Sequence, residues 1–136
     1  MNVPKEIRIY GQKIKGCKIP ESAHSITFFN TLRTKYPEYA GACFHVRNEG
    51  KRTPQQIERE KAEGFLTGVS DIILPGSPSF VCELKSQSTT AKTSNEQIKF
   101  LLAAQSHGAF VCVALGHEAA MNAFCDWLEI INKNNH

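Results

Sequence analysis

The sequence has no long apolar run. Its most hydrophobic stretch, Phe110-Val111-Cys112-Val113-Ala114-Leu115, falls far short of the ~20 residues a membrane-spanning helix needs, so no membrane association is expected. Residues 1–20 mix charged and polar side chains, without the apolar segment of a secretory signal, and the expected residence is cytoplasmic. Cysteine is scarce and unpatterned. Cys17, Cys43, Cys82, Cys112 and Cys125 are odd in number and widely spaced; they read as reduced core thiols rather than a disulfide scaffold. No Cys-x-x-Cys or Cys/His pair has zinc spacing, so a structural zinc is not expected, and a cysteine nucleophile has little support. His24, His45, His107, His117 and His136 are scattered and read as packing or surface residues. His45 is the exception, because it shares a segment with Asn48, Lys51 and Arg52. Repeats and low-complexity segments are absent.

What is present suits a small globular domain. A chain of 136 residues with 41% hydrophobic and 21% charged residues is long enough to bury a real core as one domain. The net charge of +3 is mild but unevenly placed: Lys5, Arg8, Lys13, Lys15 and Lys18 lie close together, opposed only by Glu6. Such a segment is either a phosphate-contacting arm or a solvated basic hairpin. The expected division is a basic N-terminal arm or hairpin over 1–19, a folded domain over 20–131 and a fraying tail over 132–136.

Within this division, 7–14 reads as a small hairpin around Gly11. Residues 20–36 read as a helix, with Ile26, Phe29, Leu32 and Tyr36 at helical spacing and Pro37 ending it. Residues 43–47 read as a strand. Thr53-Pro54-Gln55-Gln56 supplies an N-cap, a proline at N1 and a glutamine at N3, opening a short charged helix stopped near Gly64. Two strands follow, separated by the turn signal Pro75-Gly76-Ser77-Pro78. A helix over 95–107 is expected to bury Ile98, Leu101 and Leu102. The run 110–115 reads as a buried strand, parallel to its neighbour because a helix precedes it. A last helix over 117–131 packs Ala120, Phe124, Trp127 or Leu128, and Ile131. The order α, β, helical insertion, β, β, α, β, α gives a mixed sheet between helices.

The chemistry-bearing residues lie on the two central strands, Gly68-Val69-Ser70-Asp71-Ile72-Ile73-Leu74 and Phe80-Val81-Cys82-Glu83-Leu84-Lys85. Side chains alternate along a strand, so Glu83 and Lys85 share one face while Phe80, Cys82 and Leu84 take the other. A hairpin brings Asp71 near Glu83. Mg²⁺ is held by one or two carboxylates together with waters and phosphate oxygens. A lysine beside it suits orienting or deprotonating an attacking water, or stabilising charge on a reacting phosphorus. The same residues also permit a plainer reading, a solvated Glu-x-Lys ion pair and a turn-forming aspartate.

With Ser94-Asn95-Glu96-Gln97 opening the next helix, this arrangement resembles the VRR-NUC group of the PD-(D/E)xK nuclease superfamily. The resemblance runs from about Pro20 to Leu128 and takes in Glu21, the segment from Phe44 to Arg52, and Lys61-Ala62-Glu63-Gly64-Phe65. Ser70 stands where the superfamily name has proline, at a position that supplies no metal-binding atom. The fold implied is a restriction-endonuclease-like α/β core, a mixed central β-sheet flanked by helices. The resemblance further implies that Asp71, Glu83 and the backbone carbonyl of Leu84 hold Mg²⁺ or Mn²⁺, with Glu21 as an added acidic ligand from the first helix. Lys85 matches the catalytic lysine, and Gln97 the helix glutamine that touches lysine, water or substrate.

Two of these residues have local alternatives. Gln97 sits where a capping box places its N3 residue. Glu21 follows Pro20 in a helix's first turn, where the macrodipole favours any carboxylate. Candidate DNA contacts are His45, Asn48, Lys51 and Arg52, with Lys92 in the polar loop 86–93. The implied activity is that of a metal-dependent endodeoxyribonuclease. Small stand-alone phage-type members act as homodimers on branched DNA such as four-way (Holliday) junctions, which implies DNA as partner, a homodimer and a phage-infected bacterial host. A flap or duplex nuclease of the same superfamily, or a non-cleaving DNA-binding protein of the same fold, are the alternatives.

Overall fold

The apolar run Phe110–Leu115 forms strand β5, buried along its whole length because it is flanked on both edges and covered on both faces. The structure, a computed structural model, describes residues 2–47 and 52–134. Among the described residues five strands make one sheet in the order β1-β5-β4-β3-β2: β1 (Arg8–Tyr10), β2 (Phe44–His45), β3 (Ile72–Leu74), β4 (Phe80–Lys85) and β5. The β4–β5 and β1–β5 pairs are parallel and the β3–β4 and β2–β3 pairs antiparallel, which makes the sheet mixed, as expected. The helices are α1 (Glu21–Lys35), α2 (Pro37–Ala40), α3 (Pro54–Ala62), α4 (Asn95–Ser106) and α5 (His117–Asn134). Among the described residues no helix is long and apolar enough to cross a membrane.

The two faces of the sheet carry separate cores. On one, Phe80, Cys82 and Leu84 of β4 pack with Phe28 and Leu32 of α1 and with Phe124 and Trp127 of α5. On the other, Val81, Val111 and Val113 pack with Leu101 of α4 and Ile7. Full burial of side chains of this size contributes roughly 1.5–3 kcal/mol each. Aromatic rings concentrate where β4 and β5 begin: Phe80 stacks on Phe110 with centroids 5.9 Å apart, and Phe124 lies 5.6 Å from Trp127. The aromatic end of the sheet is therefore the N-terminal end of its parallel pair. The opposite end, where β4 and β5 finish, receives the N-termini of α4 and α5, the position at which open α/β sheets hold ligands.

Several expectations are corrected. Residues 7–14 do not form a hairpin. Instead Arg8–Tyr10 is an edge strand paired with Cys112–Ala114, fastened by the Tyr10 hydroxyl donating to Asp126 at 2.6 Å. The arm is thus part of the sheet, and it also ties the loop after β4. Ile14 N donates to the Gln87 carbonyl at 2.8 Å, Lys13 to the Thr89 carbonyl at 3.1 Å, and Asn2 Nδ2 to the Thr93 carbonyl at 3.0 Å. The buried face of α1 is His24, Phe28 and Leu32, whereas Ile26 is 63% exposed. The His24 Nδ1 accepts from the His117 amide at 3.1 Å, while its Nε2 is buried without a partner among the described residues. On α4, Leu101 is buried but Leu102 is exposed, so the inward stripe is narrower than read. Helix α5 continues through Asn134, three residues into the expected fraying tail; Asn135 and His136 lie outside the described residues.

Candidate active site

Strands β3 and β4 pair with Ile72 opposite Cys82 and Ile73 opposite Val81. Continuing the register by one pair sets Asp71 against Glu83, and alternation places both on the face that carries Ile73 and Val81. Asp71 is held from both sides. Its Oδ2 accepts from the Leu84 amide at 2.9 Å, and its backbone carbonyl accepts from the Val46 amide at 2.7 Å.

Glu83 is not part of a solvated ion pair. Because β4 is interior to the sheet, Glu83 is 1% exposed. Its Oε1 accepts from Gln97 Nε2 at 3.0 Å and lies 3.9 Å from Lys85 Nζ. Its Oε2 is buried with no hydrogen-bond partner among the described residues. The Glu83 carboxyl is pushed up to about 10, by burial first, then by hydrogen bonding of its protonated form with Asp71 and by the Asp71 charge; Lys85 opposes the rise and Glu21 adds a smaller push upward.

Gln97 fills both roles that its position allows. As the N3 residue of α4 its Oε1 accepts from Ser94 N at 2.8 Å, while Ser94 Oγ accepts from Gln97 N at 3.1 Å, a complete capping box. The same Oε1 accepts from Lys85 Nζ at 3.1 Å and the same side chain's Nε2 donates to Glu83. One amide therefore starts the helix and spaces the lysine from the glutamate.

Alignment of α4 depends on a residue whose role the sequence reading left open. Gly68 adopts φ +80°, and a Cβ there would lie 2.4 Å from the Glu96 carbonyl carbon and 2.7 Å from Gln97 N. Only glycine fits both the left-handed backbone and the contact with the first turn of α4. The signal was in Gly68-Val69-Ser70-Asp71, where a glycine stands three residues before the carboxylate.

The residues fit a hard divalent cation. A buried carboxylate oxygen without a donor is a group a cation would satisfy. Asp71, Glu83 and the Leu84 carbonyl offer oxygens only, the donor type Mg²⁺ and Mn²⁺ favour. Among the described residues no three His, Cys, Asp or Glu side chains gather into a preformed cage, and a site with one or two carboxylates is the usual Mg²⁺ arrangement.

These groups line one wall of a cleft of about 740 Å³, which holds Asp71, Leu84 and Gln97 together with Glu21, His45 and Arg52. The structure thus brings six of the sequence-singled residues to one cavity, with Glu83 and Lys85 bonded behind them. The Arg52 Nε is engaged by Glu60 Oε1 at 2.7 Å. Lys92 is exposed in the loop after β4 and does not line the cleft. Asn48 and Lys51 lie outside the described residues. The opposite wall was not foreseen: it comes from α3, from the segment after it, and from Ile26 of α1.

No protein-family model matches the chain, and no curated protein matches it in sequence. In fold it is similar to a solved structure described as a VRR_NUC domain protein, with a TM-score of 0.70 over 83% of this chain and 91% of that one, at 13% identity. The mixed five-stranded α/β core is thus similar in fold to that VRR_NUC domain.

Proposed function

We propose that this chain is a Mg²⁺- or Mn²⁺-dependent endodeoxyribonuclease that hydrolyses phosphodiester bonds, acting as a homodimer on branched DNA such as four-way junctions. The observation that carries this reading is Glu83: a carboxylate buried on an interior strand, with one oxygen unpartnered, opposite Asp71 and bonded to a glutamine that also bonds Lys85. In a structural ion pair both carboxylate oxygens usually find donors. Asp71, Glu83 and the Leu84 carbonyl would hold the cation, with Glu21 at the same cleft as a further acidic group. When bound, the cation supplies Lewis-acid polarisation of the phosphate and a more acidic water.

The chain's own residues do the positioning. Gln97 keeps Lys85 Nζ 3.9 Å from Glu83 Oε1, close enough for attraction but beyond a direct hydrogen bond, so the ammonium retains donors for a water or a phosphate oxygen. The Leu84 amide fixes the Asp71 carboxylate. His45 and Arg52 at the cleft suit contacts to the DNA backbone. The dimer belongs to this reading because symmetric resolution of a junction needs two nicks related by a two-fold axis.

The test is incubation of labelled four-way junction, flap, single-stranded and duplex DNA with Mg²⁺, Mn²⁺ or EDTA. Paired nicks near the junction centre are expected from the wild type. Asp71→Ala, Glu83→Ala and Lys85→Ala should each abolish cleavage while retaining DNA binding. Metal-independent binding without cuts on any substrate would instead identify a non-cleaving DNA-binding protein.

A further inference from the structure

The cleft is much larger than phosphodiester chemistry alone requires. At about 740 Å³ it exceeds the space of a cation and a few waters, each water occupying roughly 30 Å³, several times over. Part of its lining is apolar. Phe65 is 61% exposed, Leu66 64%, Ile26 63% and Ile57 41%, and all four line this one cavity with Asp71 and Gln97. A contiguous exposed apolar surface inside a concave site is the signature of something that binds there.

The placement of Phe65 is built rather than incidental. Helix α3 is closed by Gly64, two residues past its last residue and at φ +99°, with Gly64 N donating to the Lys61 carbonyl at 3.1 Å and Phe65 N to the Glu60 carbonyl at 2.9 Å. Those paired bonds are a Schellman motif, which fixes the direction of the residue after the glycine. A capping box at Thr53 and Gln56 fixes the other end of α3. The helix buries none of its own residues, so both ends are fastened although no core holds the middle. The motif's usual reason for an apolar residue after the glycine is packing against the helix's last turn, yet Phe65 stays largely uncovered.

We infer that this apolar wall, centred on Phe65, stacks an unpaired nucleobase of the DNA strand whose backbone enters the Asp71–Glu83 site. The inference rests on the nuclease reading above and narrows its substrate to DNA with an unstacked nucleotide beside the cut. The occupant follows from what shares the cavity. The charged groups, the carboxylates Glu21, Asp71 and Glu96 with the basic His45, Arg52 and Lys61, line the polar part, which suits it to a cation and the phosphate backbone and leaves the uncharged base for the apolar part. A base inside a duplex has both faces covered by its neighbours, so only an unstacked one offers a flat surface to an aromatic ring. Ser22, Ser25 and Thr67 stand around the wall with hydroxyls able to donate to or accept from the edge of any base.

The experiment compares binding, in EDTA at fixed salt, to a four-way junction carrying unpaired thymidines at its centre and to a fully paired duplex of the same sequence. Phe65→Ala should weaken binding to the unpaired probe roughly five- to a hundredfold and change duplex binding by less than about twofold. Phe65→Trp should retain affinity. Its introduced indole, read against the buried Trp127, should be quenched by the unpaired probe and not by the duplex. Equal loss on both probes, or an unquenched indole, overturns the inference. Wild-type cleavage of the same probes in Mg²⁺ or Mn²⁺ reads the nuclease assignment separately. Cuts that are indifferent to Phe65 sink the base pocket alone; quenching without cuts upholds the pocket and sinks the nuclease.

Discussion

Replacing Glu83 with glutamine should make the metal-free protein more stable. In the fold the Glu83 carboxyl is pushed up to about 10 from an ordinary value of 4.5, by burial first and by Asp71 next. Between those two values the unfolded chain has released its proton and the folded chain retains it. The sign is the reverse of the usual carboxylate case: the stability contribution is fully present below pH 4.5 and is lost as pH rises towards about 10. Each pH unit above 4.5 removes about 1.4 kcal/mol, so at pH 7 the native glutamate destabilises the fold by about 3 kcal/mol, whatever its folded value above neutrality. Glu83→Gln keeps an acceptor for Gln97 and abolishes the titration. Urea unfolding in EDTA, followed by circular dichroism from pH 5 to 8, should show a gain that is small at pH 5 and about 3 kcal/mol at pH 7. At this chain length that is a rise in Tm of about 10 °C. Mg²⁺ should narrow the gap by stabilising the wild type alone. Equal stability of the two proteins at pH 7, or a gain that does not grow with pH, would refute the burial argument and with it the claim that this carboxylate awaits a cation.

Gln97 and its cap can be separated: Ser94→Ala should cost about 1 kcal/mol in urea unfolding and leave cleavage intact, whereas Gln97→Ala should cost as much and also slow turnover. Normal turnover in Gln97→Ala would reduce the glutamine to a cap. Gly68→Ala should lose about 2 kcal/mol or more from a left-handed backbone and a contact with the first turn of α4, and lose cleavage with it; a fully active, stable Gly68→Ala would mean that α4 is not braced there. His24 is held below its ordinary value by burial, then by His117, so its contribution is present above about pH 6.5 and is lost as pH falls through that range. In the Glu83→Gln background, where the opposing slope is gone, stability should fall between pH 7 and 5, and His24→Phe should flatten the profile; a flat profile with His24 intact would exclude the assignment.

The sequence disclosed what depends on short spacing. Glu83 and Lys85 share a face because strands alternate, Asp71 reaches Glu83 because a turn signal separates their strands, and Gln97 caps α4 because Ser94 stands three residues before it. Features that depend on distant partners stayed hidden. Whether Glu-x-Lys is solvated or buried turns on β4 lying between β3 and β5, a matter of sheet order. His24 takes the inward face of α1 because His117 Nδ1 lies 3.0 Å from its own Nδ1, and Ile26 is thereby rotated into the cleft. Arg8 pairs with Cys112 across most of the chain, so a segment whose charges suggested a free arm is an edge strand. The α3 wall was illegible for a different reason: its helix buries nothing, and a helix without an inward stripe gives periodicity nothing to detect.

Gln97 shows why the site and the fold cannot be varied independently. Its Oε1 accepts from a backbone amide that begins α4 and from the Lys85 ammonium, while its Nε2 donates to Glu83. Turning the amide to release the lysine would uncap the helix, and unwinding the first turn would free the lysine to close directly on Glu83. Either change would collapse the 3.9 Å separation into an ordinary buried ion pair and compensate the glutamate internally. Glycine at 68 braces the same turn through the Glu96 carbonyl. Docking of α4 is therefore what keeps Lys85 from pairing directly with Glu83, and under the proposed function the stability given up by that buried carboxyl is the counterpart of a site that takes a metal ion.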